Sequence, residues 1–510
     1  MSRKTESGKC GVVARHFGFR RNPVKKIRSK QQGFALLLFV TVLATAATTL
    51  TVKALNNNGN VQIDRNKITA AALAQAKEAL IGYAITYADN HSGNVDGYLP
   101  CPDTSGTDIG GEGAAAGACG AQDVSAIGKL PWKTLKLPPL VGGDNECLWY
   151  AVSGTYKNNP PTGLMNWDTN GQLRVYAPDG TTLLTPADNQ AVAVIFAPGI
   201  ALGQSHTMAL GTPSCGGNYT ASNYLDNDTV HRINNANIAI GKFIQPHVDR
   251  DARGNILLTV NDQIVFITKQ DIWNAMKKRR DFLDTLDGMT RSTAECIKKY
   301  ATTNNMAANK SLPWPAQLAL SDYTDNTRYN DARNLLVGRV PYKVNTSRTD
   351  TGNTIPGTPP SDYFLLKADN PSGTAYCSTS STGLTWANIY PWWYNWKDHL
   401  FYGVSETYKP DNAATTACTS GHCVSVNGSG NYAAVVIFAG DRLAGQIRTD
   451  KSVVSAYLEG RNNTNIDSAL STGHENYQAS SVPASPTFND IVYCIKEDLS
   501  VVPGSAAGCL

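Results

Sequence analysis

A ten-residue run occurs twice in this chain, and its flanking motifs recur with it in the same order. Leu148-Trp149-Tyr150-Ala151-Val152-Ser153-Gly154-Thr155-Tyr156-Lys157 returns as Leu400-Phe401-Tyr402-Gly403-Val404-Ser405-Glu406-Thr407-Tyr408-Lys409. Val192 to Ala197 returns as Ala434 to Ala439, and Gly203-Gln204 as Gly445-Gln446. Upstream, Leu99-Pro100-Cys101-Pro102 parallels Leu312-Pro313-Trp314-Pro315, and Gly128 to Lys133 parallels Gly338 to Lys343. Downstream, Tyr224-Leu225-Asp226 parallels Tyr457-Leu458-Glu459, and Val260-Asn261-Asp262 parallels Phe488-Asn489-Asp490. Collinear matches of this kind mark an internal duplication, so the chain must build one supersecondary plan twice.

The plan is legible in outline. Ala191 to Ala197 and Ala433 to Ala439 are short apolar runs suited to strands buried on both faces. Leu148 to Tyr156 and Leu400 to Tyr408 alternate as half-buried strands do. Ile68, Leu73, Ala76, Leu80 and Tyr83 recur at helical spacing, which predicts an amphipathic helix. Asp271 to Leu286, continued by Ser292 to Thr302, predicts the helices that open the second unit.

Length and charge narrow the class. A chain of 510 residues exceeds one ordinary domain. Its net charge of +4 comes from the first 33 residues, which hold ten Lys or Arg and one acid. From Phe34 onward 35 basic residues face 40 acidic ones, a net of −5, so no nucleic-acid surface is expected. Phe34 to Val52 is apolar and long enough to cross a bilayer, at about 20 residues per crossing.

The expected fold is therefore α+β: a long N-terminal transmembrane helix followed by two related globular units, each a helix plus a mainly antiparallel sheet. The divisions are a basic leader (1–33), a membrane and packing helix (34–90), a first unit (91–270) and a second unit (271–510). The expected location is the inner membrane, single-pass, with the globular part in the periplasm or carried into a filament.

An ordinary secretory signal places its cleavage site after the apolar core. Here Gly33-Phe34 stands before it, behind Lys25-Lys26-Ile27-Arg28. That order resembles the class III signal of type IV pilins and type II secretion pseudopilins. The resemblance implies cleavage between Gly33 and Phe34, methylation of the new amino terminus, and filament packing through Leu36, Leu37, Leu38 and Val40. Shaft subunits of that family carry Glu at the fifth mature position, where this chain has Leu38. The departure implies a minor or tip subunit acting in filament assembly or contact. The partners implied are a prepilin peptidase, other pilin-like subunits, an inner-membrane assembly platform and the membrane. The Leu-Pro-Cys-Pro and Trp-Tyr-Ala-Val elements also look like a globular domain of some pseudopilin-like proteins.

Eleven Cys include one, Cys10, in the leader; the even remainder suits disulfides in an oxidising compartment. The second unit has His399 where the first has Cys147, and no counterpart of Cys215, which suggests Cys147–Cys215 as a pair. Cys101–Cys119, Cys418–Cys423 and Cys494–Cys509 are short-range candidates, leaving Cys296–Cys377. Connectivity is not determined by sequence alone.

Signals for chemistry are sparse. Asp103 and Asp108 lie in a loop that resembles a degenerate calcium loop, though an Asx turn accounts for it better. Trp392, Trp393 and Trp396 belong to an aromatic segment that would suit a ligand platform or core packing. The platform reading carries the alternative function, a membrane-anchored adhesin or carbohydrate-binding protein. Eight dispersed His show no metal-type spacing, and neither GxSxG nor GxxxxGK[ST] occurs. No enzyme, metal or cofactor is expected.

Overall fold

The computed structural model describes residues 58–107, 110–204, 206, 215, 218–302, 311–344, 363–366, 377, 386–410, 418, 421–467, 471–480 and 485–509. Each repeat forms the core of one sheet. In the first, β1 (Ala126–Lys129), β2 (Trp149–Val152), β3 (Ala191–Ala197) and β4 (Gln263–Thr268) pair antiparallel in that order. In the second, β5 (Val337–Arg339), β6 (Leu400–Val404), β7 (Ser429–Phe438) and β8 (Ile491–Lys496) take the same order. The second sheet grows to eight strands with β9 (Val501–Ser505), β10 (Gly508–Cys509) and the short pieces Val424–Val426 and Asn476–Tyr477.

The repeated residues keep their roles. Tyr150 donates to the Pro100 carbonyl at 3.1 Å, and Tyr402 donates to the Pro313 carbonyl at 3.1 Å. Leu99 N–H donates to Tyr156 O, and Leu312 N–H to Tyr408 O. Glycine is needed where the strand passes the Pro-rich loop: a Cβ on Gly128 or Gly338 would collide with the backbone oxygen of Asp103 or Ala316.

One correspondence breaks. Matching the sequences sets Phe196 against Phe438, but Trp149 pairs with Phe196 whereas Phe401 pairs with Ile437. The central strand of the second sheet is displaced by one residue, which moves its side chains to the opposite faces. Phe196 therefore packs on the outer side with Trp149, and Phe438 points inward against Trp167 and Trp396.

Both sheets turn their inner faces to one shared core. It gathers Tyr150, Val152 and Ile195 of the first sheet with Tyr402, Val436 and Phe438 of the second. Helices fill it: α1 (Asn58–Ile85), α2 (Lys269–Met276), α3 (Arg280–Thr302) and α4 (Trp386–Trp396). Thr268 caps α2, its hydroxyl accepting from Asp271 N–H while the Asp271 carboxylate accepts from Thr268 N–H.

Two expectations are corrected. The described residues hold six helices, of 4 to 28 residues, and mostly sheet, and none of those helices is long and apolar enough to cross a membrane. Helix α1 has the length but carries Asp64, Arg65, Lys67, Lys77 and Glu78 along it. The long transmembrane helix is thus absent from the described fold, and the single-pass inner-membrane location is overturned on the same ground. Phe34 to Val52 lie outside the described residues.

Candidate functional site

The most distinctive element is α1, whose buried stripe runs from Thr69 toward its C-terminal end. Ala72, Leu73, Ala76, Leu80 and Ala84 are buried, a stripe whose small residues let the helix lie close against the core. Ile68, expected on that stripe, is 51% exposed, and every residue from Gln62 to Ile68 is exposed. The seat begins at Thr69, whose hydroxyl accepts from Gly143 N–H at 2.9 Å. Arg65 pairs with Asp144 at 3.0 Å, and Lys77 donates to Phe266 O at 3.0 Å.

Gly143 permits this approach, because a Cβ there would collide with the Arg65 backbone. Gly143→Ala is therefore expected to destabilise the body by about 1–3 kcal/mol through overpacking. Urea unfolding checks the magnitude, and faster hydrogen exchange across the first seated turn of α1 checks the location.

The other sequence-predicted residues are distributed as follows. Gly33, Phe34, Leu36, Leu37, Leu38 and Val40 lie outside the described residues, as does Asp108. Asp103 is buried, with Oδ1 accepting from Ser105 and Gly106 N–H and Oδ2 from Gly113 N–H and the Tyr219 hydroxyl. Those donors make it an Asx turn. Five disulfides join Cys101–Cys119, Cys147–Cys215, Cys296–Cys377, Cys418–Cys423 and Cys494–Cys509, the pairs suggested by co-loss, by proximity and, for Cys296–Cys377, as the remainder.

The ligand-contact reading of the Trp cluster is corrected. Trp393 and Trp396 are 0% exposed, and Trp392 is half-buried against Phe282. Trp393 and Trp396 are enclosed by the core and offer no face to a ligand.

These aromatics surround a polar junction between the repeats. His399 Nδ1 lies 2.9 Å from Asp398 Oδ1, and its Nε2 lies 3.0 Å from Asp168 Oδ2 and 2.8 Å from Trp167 Nε1. Asp398 also binds Lys451 and, at 3.1 Å, Asn166 Nδ2. Arg339, fully buried, donates to the Asp398 and Lys451 carbonyls and lies 4.4 Å over the Phe401 ring. Burial alone would raise Asp398, but Lys451 and His399 outweigh it and hold the carboxyl well below the usual range. Asp168 behaves likewise: burial pushes it up, and His399 and Arg448 bring it below. Beside the junction opens a 330 Å³ cleft lined by Asp123, Asn166, Asp168, Thr324 and Lys451, with no histidine or cysteine in its wall.

A second device is duplicated. Asp226 accepts from Gln204 Nε2 at 2.5 Å and from Asn261 N–H at 2.6 Å, while Asp262 accepts from Asp226 N–H at 2.7 Å and Asn235 Nδ2 at 3.0 Å. In the other repeat Glu459 accepts from Gln446 Nε2 and Asn489 N–H, and Asp490 from Glu459 N–H and Asn462 Nδ2. The Gly-Gln, Tyr-Leu-acid and Asn-Asp marks of the sequence repeat thus meet in space. Burial, followed by the facing Asp226, pushes Asp262 up to about 8. Burial and the facing Glu459 raise Asp490 well above its ordinary value. All four acids are buried, so these pairs brace the fold and present no surface to a substrate.

Sequence reasoning missed a cluster of metal-ligating side chains, Asp228, His231, His247 and Asp249, on the first repeat. The available signals were Asp-x-x-His in a turn and His-x-Asp on a strand, both too short to stand out among dispersed histidines. No family model, curated protein or solved structure matches this chain.

Proposed function

We propose that this chain is a minor or tip subunit of a type IV pilin-like assembly and acts in filament assembly or contact rather than in catalysis. The observation that carries the reading is α1. Its C-terminal part is locked into a disulfide-bonded body, while Gln62 to Ile68, with Ile63 and Ile68 among them, are exposed. A helix held at one end offers its free turns to neighbouring subunits. The basic leader ending at Gly33-Phe34 supplies a processing signal of the matching type, and Leu38 favours a minor or tip position.

The proposed partners are a prepilin peptidase, other pilin-like subunits and an assembly platform. The adhesin alternative is weakened, since two of the three Trp residues that would meet a ligand, Trp393 and Trp396, are buried in the core. The test is the N-terminal sequence of the mature protein from cells with and without the peptidase. A methylated Phe34 start that disappears in the peptidase-deficient strain is the expected result. A Met1 start in both strains overturns the proposal.

A further inference from the structure

We propose that Asp228, His231, His247 and Asp249 bind one divalent transition-metal ion of the zinc class, a site independent of the filament reading. Two hairpins bring the ligands together. In the first, Asn227–Asp228 pairs with Ile233–Asn234, and Asp228 Oδ1 accepts from Val230 N–H at 2.9 Å and His231 N–H at 2.8 Å. That turn leaves Oδ2 directed at the imidazoles, 2.7 Å from His231 Nδ1 and 3.3 Å from His247 Nε2. In the second, His247–Arg250 pairs with Ile256–Val260. The period of two places His247 and Asp249 on one face of that strand and leaves Val248, 47% exposed, on the other.

His247 is the independent sign of a ligand. Its side chain is 5% exposed, and its Nδ1 lies 2.8 Å from the Gln245 carbonyl. A carbonyl only accepts, so Nδ1 carries a proton and Nε2 is the ring atom that faces the two carboxylates. That buried Nε2 has no hydrogen-bond partner, and neither does Asp249 Oδ2, which lies 3.4 Å away. Asp228 and Asp249 converge on these imidazoles, and two carboxylates so close repel until positive charge sits between them. The Gln245 contact is the outer-sphere bond that fixes the tautomer of a metal-binding histidine.

The dimensions suit zinc. Metal–ligand bonds of about 2.0–2.2 Å in a tetrahedron separate the ligand atoms by roughly 3.3–3.6 Å. The separations of 2.7, 3.3, 3.4 and 3.9 Å bracket that range, and all four atoms lie within 4.8 Å of one another. Two imidazoles argue against calcium or magnesium, which take oxygen ligands. Four protein ligands leave no open position, so the ion would clamp the two hairpins as a structural centre. Counting from the Tyr224/Tyr457 match, the second repeat has Arg461 and Thr464 in place of Asp228 and His231, so one ion per chain is expected.

The experiment uses the full chain, stripped with chelator, equilibrated with Zn²⁺ and dialysed, with bound metal counted by mass spectrometry. Co²⁺ substitution reports geometry by its visible spectrum. One zinc per chain and a tetrahedral cobalt spectrum are expected. His247→Ala and, as the milder change at a partly exposed ligand, Asp249→Asn should each weaken zinc by more than the roughly 10–100-fold cost of losing an outer-shell partner. Circular dichroism confirms that the variants fold. Failure to retain zinc, equal retention by the folded variants, or preference for Ca²⁺ overturns the proposal. So does a histidine NMR titration showing His247 as a metal-free imidazolium in the presence of zinc.

Discussion

Asp398→Ala is expected to destabilise the body by about 3–5 kcal/mol, the cost of removing one member of a buried charged network. The carboxylate is 0% exposed and answers His399, Lys451 and Asn166 together. Without it the His399 imidazole keeps Asp168 and Trp167 as polar partners, and Lys451 loses its carboxylate. The pH dependence follows from the direction of the shift. A carboxyl held below its unfolded value contributes stability that is complete above about pH 4 and is lost as pH falls through the folded value. The parent protein should therefore weaken steeply below pH 4, and Asp398→Ala should be flatter there. Urea unfolding between pH 3 and 7 measures both. Arg442→Ala, which removes the exposed pair with Asp188, is the control and should change stability by less than about 0.5 kcal/mol. A cost for Asp398→Ala no larger than the control's would show that the junction does not hold the repeats together.

The duplication was legible because strands and tight loops leave local marks. Tyr150 and Tyr402, or Gly128 and Gly338, do the same work in both copies and so keep the same neighbours in sequence. The displaced register of β7 was not legible, since an apolar run such as Val-Val-Ile-Phe reads the same on either face and only pairing with β6 and β8 chooses. The junction was half legible. His399 stood out as the residue in the place of Cys147, but its partners Trp167 and Asp168 come from a loop of the other repeat that nothing local connects to it. The acid pairs show the same limit. Gln204, Asp226 and Asp262 were visible as repeat marks, and their meeting required the sheet to be folded. Along α1, helical spacing placed Ile68 on the packing stripe, yet burial begins only at Thr69, and how far a neighbour covers a helix is a tertiary fact.

Asp262→Asn should stabilise the protein at pH 8 while leaving it nearly unchanged at pH 4. Asp262 has the opposite shift to Asp398, raised to about 8 by burial first and by Asp226 second. Between the ordinary carboxylate value of about 4 and that of the folded state, the native protein retains a proton that the unfolded chain has released. Stability then declines as pH rises through this window, and the decline saturates above about 8. At about 1.4 kcal/mol per unit of difference, the gain for the variant at pH 8 is on the order of 2–5 kcal/mol. The amide keeps the acceptor that binds Asp226 N–H and Asn235 while removing the charge. Asp490→Asn should act in the same direction through the second copy, where burial and Glu459 raise the carboxyl. The junction and the acid pairs thus work in separate pH windows with opposite slopes, so one unfolding series from pH 3 to 9 distinguishes them. If the parent and Asp262→Asn fall in parallel between pH 5 and 8, Asp262 is already ionised in the folded protein and the bracing proton is absent.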